Sequence, residues 1–235
     1  GLAMDGADGR CARAGGGGAS RKRARVATAS GEAEEDPLLA VAAAYAGVDG
    51  YGIARDEKRR QRVSGVYAEG IQYGEVEARA FAYALTWVAA TKDGEDKARH
   101  FVDLGSGVGK AVLTAAATGG FASVTGVELL QPLHEAAVAA LAKCDVAALR
   151  GTNVAFECGD ALRYDWSSMD VTFVSLTCFT EEQVASVAEG ATKLKRGARM
   201  IVTSRTLETS ALRMLRKEKI AYGKGTLTFI AYERV

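Results

Sequence analysis

The stretch His100-Phe-Val-Asp-Leu-Gly-Ser-Gly-Val-Gly109 decides the fold of this chain. It predicts a buried strand that ends in an acid, then a tight glycine turn, then a helix start. A dinucleotide-binding loop has the spacing G-x-G-x-x-G, but Lys110 stands where the third glycine belongs. A P-loop also fails to match, because Leu104 replaces its first glycine and Ala111 its final Ser or Thr. The loop therefore predicts a nucleotide-type ligand and excludes both of these classes.

Composition indicates a globular domain that can bury a sizeable core. The chain has 235 residues, 48% of them hydrophobic, and a formal net charge of +1. Its 4 cysteines and 2 histidines contain no C-x-x-C motif, which argues against a zinc site and a disulfide framework and favours a reducing compartment. No apolar run reaches the roughly 18 residues of a membrane span, and no signal peptide is expected.

A low-complexity tail is predicted at residues 1–35, where small residues dominate. Such a segment buries too little surface to offset its ordering entropy, so disorder is expected. The tail carries a basic run, formed by Arg21, Lys22, Arg23 and Arg25. This run is typical of a nuclear-localisation or nucleic-acid-contacting segment, and equally of a solvated basic stretch.

A helical N-terminal segment is predicted at residues 36–98. Pro37 opens an apolar helical stretch, and the mixed charges over residues 55–62 predict an exposed helix face. A further amphipathic helix is expected over residues 75–90, with Phe81 on its apolar face.

From His100 onward strands alternate with helices, which predicts crossover units and a mostly parallel sheet. Strands are expected at residues 101–104, 123–127, 153–158, 171–174, 200–203, 220–222 and 226–233. Helices are expected at residues 110–117, 130–143, 181–193 and 208–213. Gly223-Lys-Gly225 between the last two apolar runs predicts a hairpin. The predicted fold is an α/β seven-stranded, mostly parallel sheet over residues 99–235 that ends in a C-terminal hairpin.

Ligands of such sheets bind beyond the carboxyl ends of the strands, where the strand order switches. Asp103, at the tip of the first strand, is placed to receive an ammonium group. Gly105, Gly107 and Gly109 let the backbone approach the ligand, and N–H groups of this loop and of the helix start can bind a carboxylate.

Acids also end the next two strands. Glu128 follows Asp103 at close to the roughly 20-residue interval at which an acid binds ribose hydroxyls in such folds. A carboxylate suits a vicinal diol because it accepts two hydrogen bonds. Gly159-Asp160 is placed to accept from an adenine amino group, although Gly-Asp is also common in turns.

The loop and its acids resemble those of class I S-adenosylmethionine (SAM) methyltransferases, which have a Rossmann-like fold and release S-adenosylhomocysteine (SAH). The resemblance implies a SAM-binding core at residues 99–235 and no metal. The residues implied in cofactor binding are Tyr73, Gly74, Glu75, Asp103, Gly105, Ser106, Gly107, Gly109, Glu128, Asp160 and Ala161.

From about residue 66 onward the chain also resembles the non-SET histone lysine methyltransferases called disruptor of telomeric silencing (Dot-one). The resemblance rests on Tyr73-Gly-Glu75, Phe101-Val-Asp-Leu-Gly-Ser-Gly-Val-Gly109, Gly126-Val-Glu128, Gly159-Asp160, Phe173-Val174 leading to Phe179, and the hairpin at Gly223-Lys224. It implies that the Tyr-Gly-Glu loop closes over the cofactor. It also implies a nucleosomal core histone as substrate and a nuclear location, with the cytoplasm as the alternative.

The acceptor side departs from the family pattern. The family motif Asn-Asn-Phe-Ala-Phe is here Ser175-Leu-Thr-Cys-Phe179, so a serine replaces the asparagine at the methyl-transfer centre and Thr177 replaces a channel aromatic. Other departures are Val76, Lys110, Ala221 and Thr228, and most of the family's helical N-terminal subdomain is missing.

Methyl transfer needs a neutral amine that is aligned with the donor methyl group. We expect Ser175 to orient that amine and Phe179 and Tyr222 to form the apolar wall of its channel, since apolar surroundings favour the uncharged amine. Ser175 and Phe179 would equally end a strand and pack. Three functions follow as alternatives: a histone-lysine methyltransferase, a methyltransferase for another protein or a small molecule, and a catalytically silent SAM-binding chromatin module.

Overall fold

The structure, a computed structural model, describes residues 36–64, 73–89, 99–223 and 225–235. The predicted tail at residues 1–35, with its basic run, lies outside the described residues, as does Lys224 of the hairpin. Three helices precede the sheet: α1 (Pro37–Ala44), α2 (Gly50–Ser64) and α3 (Ala78–Ala89). The charged residues of α2 are exposed or half-buried, as predicted.

The sheet and its helices then alternate along the chain. Their order is β1 (His100–Leu104), α4 (Lys110–Thr118), β2 (Ser123–Glu128), α5 (Gln131–Lys143), β3 (Asn153–Cys158), β4 (Val171–Val174), α6 (Glu181–Ala191), β5 (Arg199–Thr203), β6 (Leu212–Tyr222) and β7 (Gly225–Arg234). Short 3-10 turns lie at Val146–Leu149 and Leu176–Cys178.

The seven strands form one sheet in the order β3-β2-β1-β4-β5-β7-β6. The first five strands are parallel neighbours, and β7 pairs antiparallel with both β5 and β6. This confirms the predicted mostly parallel sheet with a closing hairpin. The strand order reverses between β1 and β4, so a ligand crevice is expected beyond their carboxyl ends.

Alternate side chains of each strand supply two cores, one on each face of the sheet. On one face Phe101, Phe173 and Phe229 pack with α1, α3 and α4, and Phe81 of α3 stacks 4.5 Å from Phe173. On the other face Val102 and its neighbours pack with α6. The buried position of Phe81 confirms the predicted apolar face of α3.

The helix predicted at residues 208–213 is wrong. Residues 206–209 have no regular structure, and β6 begins at Leu212 and continues for 11 residues against β7. A helix of six residues gains too few hydrogen bonds to offset its nucleation cost, whereas the long ladder satisfies the backbone groups of β6 that face β7. The strand predicted at residues 220–222 is therefore only the end of a much longer one.

None of the helices in the described ranges is both long and apolar enough to cross a membrane. Within the same ranges, no group of three or more His, Cys, Asp or Glu side chains could hold a metal ion.

Candidate active site at the strand tips

The glycine loop that follows β1 depends on left-handed backbone angles, with φ of +86° at Gly105, +56° at Gly107 and +85° at Gly109. A side chain at Gly107 would put its Cβ 2.7 Å from the ring of Tyr73. A side chain at Gly109 would put its Cβ 2.5 Å from the ring of Phe156. These two glycines therefore admit close aromatic neighbours, which sequence reasoning did not foresee.

Most backbone N–H groups of the glycine loop already donate hydrogen bonds to acceptors within the protein. Gly105 N and Ser106 N both donate to Val127 O, at 2.8 and 2.9 Å. Gly107 N donates to Glu128 Oε2 at 2.7 Å. These three N–H groups are therefore not free to bind a carboxylate, as had been predicted for the loop. The N–H groups at the start of α4 remain the predicted donors to that carboxylate.

Two acids are buried at the tips of β1 and β2. Asp103 is only 2% exposed, and its Oδ1 has no hydrogen-bond partner among the described residues. Glu128 is 8% exposed and accepts from Gly107 N and from Leu130 N at 2.8 Å. Burial is the main cause that raises the pKa of both carboxyl groups, and their mutual repulsion raises that of Asp103 further.

A second loop, residues 73–77, lies against the glycine loop. Tyr73 Oη donates to Glu75 Oε1 at 2.7 Å, and Lys110 Nζ forms an ion pair with the other Glu75 oxygen. The ring of Tyr51 meets that of Tyr73 edge-on at 5.2 Å. Lys110, a departure from the family pattern, therefore ties residues 73–77 to the start of α4. Burial raises the pKa of the Tyr73 hydroxyl, so it stays protonated and donates.

One cleft brings most of the predicted residues together. It is lined by Tyr73, Gly74, Gly105, Glu128, Leu129, Leu130, Leu133, Asp160, Ala161, Leu162, Ser175, Cys178, Phe179 and Gln183. A small adjoining cavity is lined by Tyr73, Gly74, Glu75, Val76, Asp103, Gly105, Ser106, Val108, Lys110, Ala111, Phe173 and Ser175. Among the predicted cofactor-binding residues, Gly107 and Gly109 line neither the cleft nor the cavity.

Several lining residues were missed by sequence reasoning. Leu129 and Leu130 directly follow Glu128, and Leu162 follows Asp160, so apolar residues after each strand-end acid were a usable signal. Cys178 and Gln183 had no such signal, since they reach the cleft through the turn after β4 and the first turn of α6. Asp160 Oδ1 accepts from Leu162 N at 2.9 Å, which holds the loop after β3.

The acceptor side of the cleft is rich in hydroxyl groups. Ser175 Oγ lies 3.1 Å from Thr203 Oγ1 at the tip of β5. Phe179 is half-buried and faces Gly105. Tyr222 is the last residue of β6 and pairs with Gly225 at the start of β7. The structure does not describe its side chain. The structure thus places Ser175 and Phe179 in the cleft and leaves the role of Tyr222 a prediction.

Solved structures with the same fold are methyltransferases. An RNA methyltransferase from Salinibacter ruber in complex with SAH aligns with a TM-score of 0.53 and 18% identity, over 68% of this chain and 94% of that one. Magnesium protoporphyrin IX methyltransferase from Synechocystis PCC 6803 with bound SAM aligns with a TM-score of 0.54 and 17% identity, over 81% and 99%. Human methyltransferase 10 domain containing protein aligns with a TM-score of 0.51 and 10% identity, over 79% and 98%.

No curated protein matches the chain by sequence. A family model described as histone methylation protein DOT1 matches residues 68–222, which span the Tyr73 loop, the glycine loop, the acids Asp103, Glu128 and Asp160, and the first strand of the hairpin. The chain therefore belongs to the DOT1 histone methylation family and has the class I, Rossmann-like fold of SAM-dependent methyltransferases.

Proposed function

We propose that the chain is a SAM-dependent protein-lysine N-methyltransferase whose substrate is a core histone in the nucleosome. The methyl-donor half rests on the buried Asp103 carboxyl, which lies next to a glycine loop and a second buried acid. Its Oδ1 has no hydrogen-bond partner in the part of the chain that the structure describes. Such an orphaned acceptor is costly unless a ligand satisfies it. Family membership supports the histone half.

The residues present fit SAM. Asp103 would receive its ammonium group, Glu128 its ribose hydroxyls and Asp160 its adenine amino group, while Leu129 and Leu162 supply apolar surface for the base. When bound, the cofactor supplies an activated methyl group on a sulfonium. The SAH and SAM bound to the two bacterial relatives above support this assignment.

The protein's own task is to bind, orient and desolvate the acceptor. In our proposal Ser175 Oγ accepts from the lysine amine and fixes its direction, and Phe179 and Tyr222 form its apolar wall. Apolar surroundings favour the neutral amine. No residue cluster is assigned to a metal, since direct methyl displacement needs none.

Radiolabelled SAM offered with nucleosomes, free core histones and cell lysate tests this function. Label on nucleosomal histone is the expected result. Label only on another protein or a small molecule supports the second candidate, a methyltransferase with a different acceptor. This candidate is favoured by Ser175 and Thr177, whose hydroxyl side chains replace an asparagine and an aromatic residue of the family motif. SAM binding without any transfer supports a silent module and contradicts the enzyme.

The role of Ser175 has its own test. Ser175→Ala should lower kcat by about tenfold, because a hydrogen bond that aligns the amine in the transition state is worth on the order of 1 kcal/mol or more. SAM affinity measured by calorimetry should stay the same. Ser186→Ala, at an exposed serine of α6 that donates to Glu182 O, is the matched control. An unchanged rate for Ser175→Ala would assign the serine to packing alone.

The basic run, Arg21, Lys22, Arg23 and Arg25, extends the proposal to location and partners. We assign it to nuclear targeting or to contact with nucleosomal DNA, because lysine and arginine neutralise phosphates. Deleting residues 1–35 should lower nucleosome affinity and its salt dependence, and should move a fluorescent fusion from nucleus to cytoplasm. A deletion with neither effect would leave the run a solvated stretch.

A further inference from the structure

A row of hydroxyl groups runs from the cleft to the surface between β4 and β5. Ser175 Oγ, in the cleft, lies 3.1 Å from Thr203 Oγ1. Thr203 Oγ1 lies 3.2 Å from Thr177 Oγ1, which in turn lies 2.8 Å from Ser204 Oγ. Thr203 is 0% exposed, whereas Thr177 and Ser204 are exposed. The row therefore connects the half-buried Ser175 in the cleft to the surface through one buried hydroxyl, that of Thr203.

Each hydroxyl in the row can pass on a proton. A hydroxyl carries one proton to donate and two lone pairs to accept with. Thr203 and Thr177 each have one hydroxyl neighbour on either side, and at every step either oxygen can be the donor. A proton accepted at one end can thus leave at the other while each oxygen keeps one proton.

The outer end of the row is held by a strained residue. Ser204 has φ +66°, a left-handed conformation that is unfavourable for a residue other than glycine. Ser204 N donates to Thr228 O at 2.8 Å, and Arg205 Nη1 donates to Phe179 O at 2.8 Å on the other side. These contacts keep Ser204 Oγ beside Thr177 at the surface.

We propose that Ser175, Thr203, Thr177 and Ser204 form a proton path that deprotonates the lysine acceptor, an inference that rests on the proposed methyltransferase function. A lysine ammonium has a pKa near 10.4, so close to neutral pH it has no free electron pair to attack with. Ser175 Oγ takes one proton from it and gives its own to Thr203. Thr203 passes a proton to Thr177, Thr177 to Ser204, and Ser204 to water.

The amine then attacks with its freed electron pair. The new nitrogen–carbon bond forms as the carbon–sulfur bond breaks, and the electron pair of that bond stays on sulfur. The products are a methylated ammonium and a neutral thioether, with one proton released to solvent. The charged and titratable groups that line the cleft and the adjoining cavity together with Ser175 are Tyr73, Glu75, Asp103, Lys110, Glu128, Asp160 and Cys178. Arg205, the residue after Ser204, pairs with Glu181.

Thr203→Val interrupts the row at its buried middle. Valine matches threonine in shape, Thr177 keeps its contact with Ser204, and the half-buried Ser175 can bond water while the cleft is empty, so the fold should be retained. Near pH 7 we expect kcat on nucleosomes to fall by about tenfold to a hundredfold, within the range of proton-transfer catalysis. The defect should shrink as the pH approaches 10, because the free lysine then loses its proton without help.

Two variants control for packing. Thr172→Val makes the same change at a buried threonine of β4 whose hydroxyl has no partner among the described residues, and its activity should equal that of the wild type. Thr203→Ser keeps the hydroxyl and should restore both the rate and the wild-type pH profile.

A second readout does not depend on turnover. Calorimetry of nucleosomes with the SAH-loaded protein, in buffers of different ionisation enthalpy, counts protons released on binding. Wild type and Thr203→Val should release the same number of protons, because a path changes how fast a proton leaves and not the equilibrium. A rate defect in Thr203→Val that is equal at every pH, or a smaller proton release by this variant, would overturn the path while the methyltransferase proposal stands. A wild type that transfers no label would overturn both.

Discussion

Gly107 is the residue at which the glycine loop contacts both a buried acid and the ring of Tyr73. Its φ of +56° lets the chain turn from β1 into α4, its N–H holds Glu128, and its missing side chain makes room for the Tyr73 ring. The G-x-G-x-G spacing alone indicated a ligand loop. It did not indicate an aromatic neighbour, because Tyr73 precedes the glycine loop by a whole helix.

Gly107→Ala should weaken SAM binding through displacement of the Tyr73 ring, in addition to the loss of stability from backbone strain. The comparison is Gly197→Ala, where φ is +80° but nothing lies within 4 Å of the new Cβ. Both variants should lose about 1 kcal/mol of stability from left-handed strain. Only Gly107→Ala should also displace Tyr73 and raise the Kd for SAM by about tenfold or more, measured by calorimetry. Equal Kd values in the two variants would contradict the Tyr73 contact.

At the scale of elements, the loop at residues 73–77 and the start of α4 act together. The Glu75–Lys110 ion pair is partly buried, and Tyr73 bonds the same carboxylate. The sequence indicated the Tyr-Gly-Glu loop only through family resemblance. Lys110 stood out only as a departure from the family, and its role follows from the fold, which sets it opposite Glu75.

Lys110→Met should loosen the loop at residues 73–77 and raise the Kd for SAM about three- to tenfold, since a partly buried pair contributes more than an exposed one. Arg60→Gln removes the ion pair of Arg60 with Glu57 on α2, where the arginine side chain is 67% exposed, and should leave the Kd unchanged. Calorimetry at low and high salt gives the measurement. Identical Kd values for Lys110→Met and wild type would show that the pair does not hold the loop.

At the scale of the whole molecule, the buried acids make stability depend on pH. Burial raises the pKa of Asp103 and of Glu128, so the folded protein binds protons more tightly than the unfolded chain. Their protonated forms favour folding below the ordinary carboxyl pKa of about 4. That contribution is lost as the pH rises through the raised pKa values. The protein thus gives up stability near neutral pH to keep two ionisable acids at its ligand site.

The melting temperature of the cofactor-free protein should therefore fall as the pH rises above the ordinary carboxyl pKa of about 4. Asp103→Asn should flatten this slope and raise the melting temperature at pH 8, while weakening SAM binding by roughly tenfold to a hundredfold. Asp165→Asn is the control, because hydrogen bonds with Ser167 lower the pKa of this exposed acid. Its contribution to stability therefore changes only near or below the ordinary carboxyl pKa of about 4, and this variant should keep the wild-type slope at higher pH. A slope in Asp103→Asn equal to that of wild type would refute the assignment.

The sequence by itself determined the fold class and the place of three acids at the carboxyl ends of the strands. Asp103 and Glu128 lie at the ends of their strands and Asp160 follows β3, and parallel strands bring these ends to one edge, so no long-range information was needed. Only the tertiary structure decided which side chains surround Ser175 and how long strand β6 is. The contacts of Thr203 with Ser175, of Lys110 with Glu75 and of β6 with β7 depend on strand order and register. A local pattern carries neither, because these contacts form between segments that are separate in the chain.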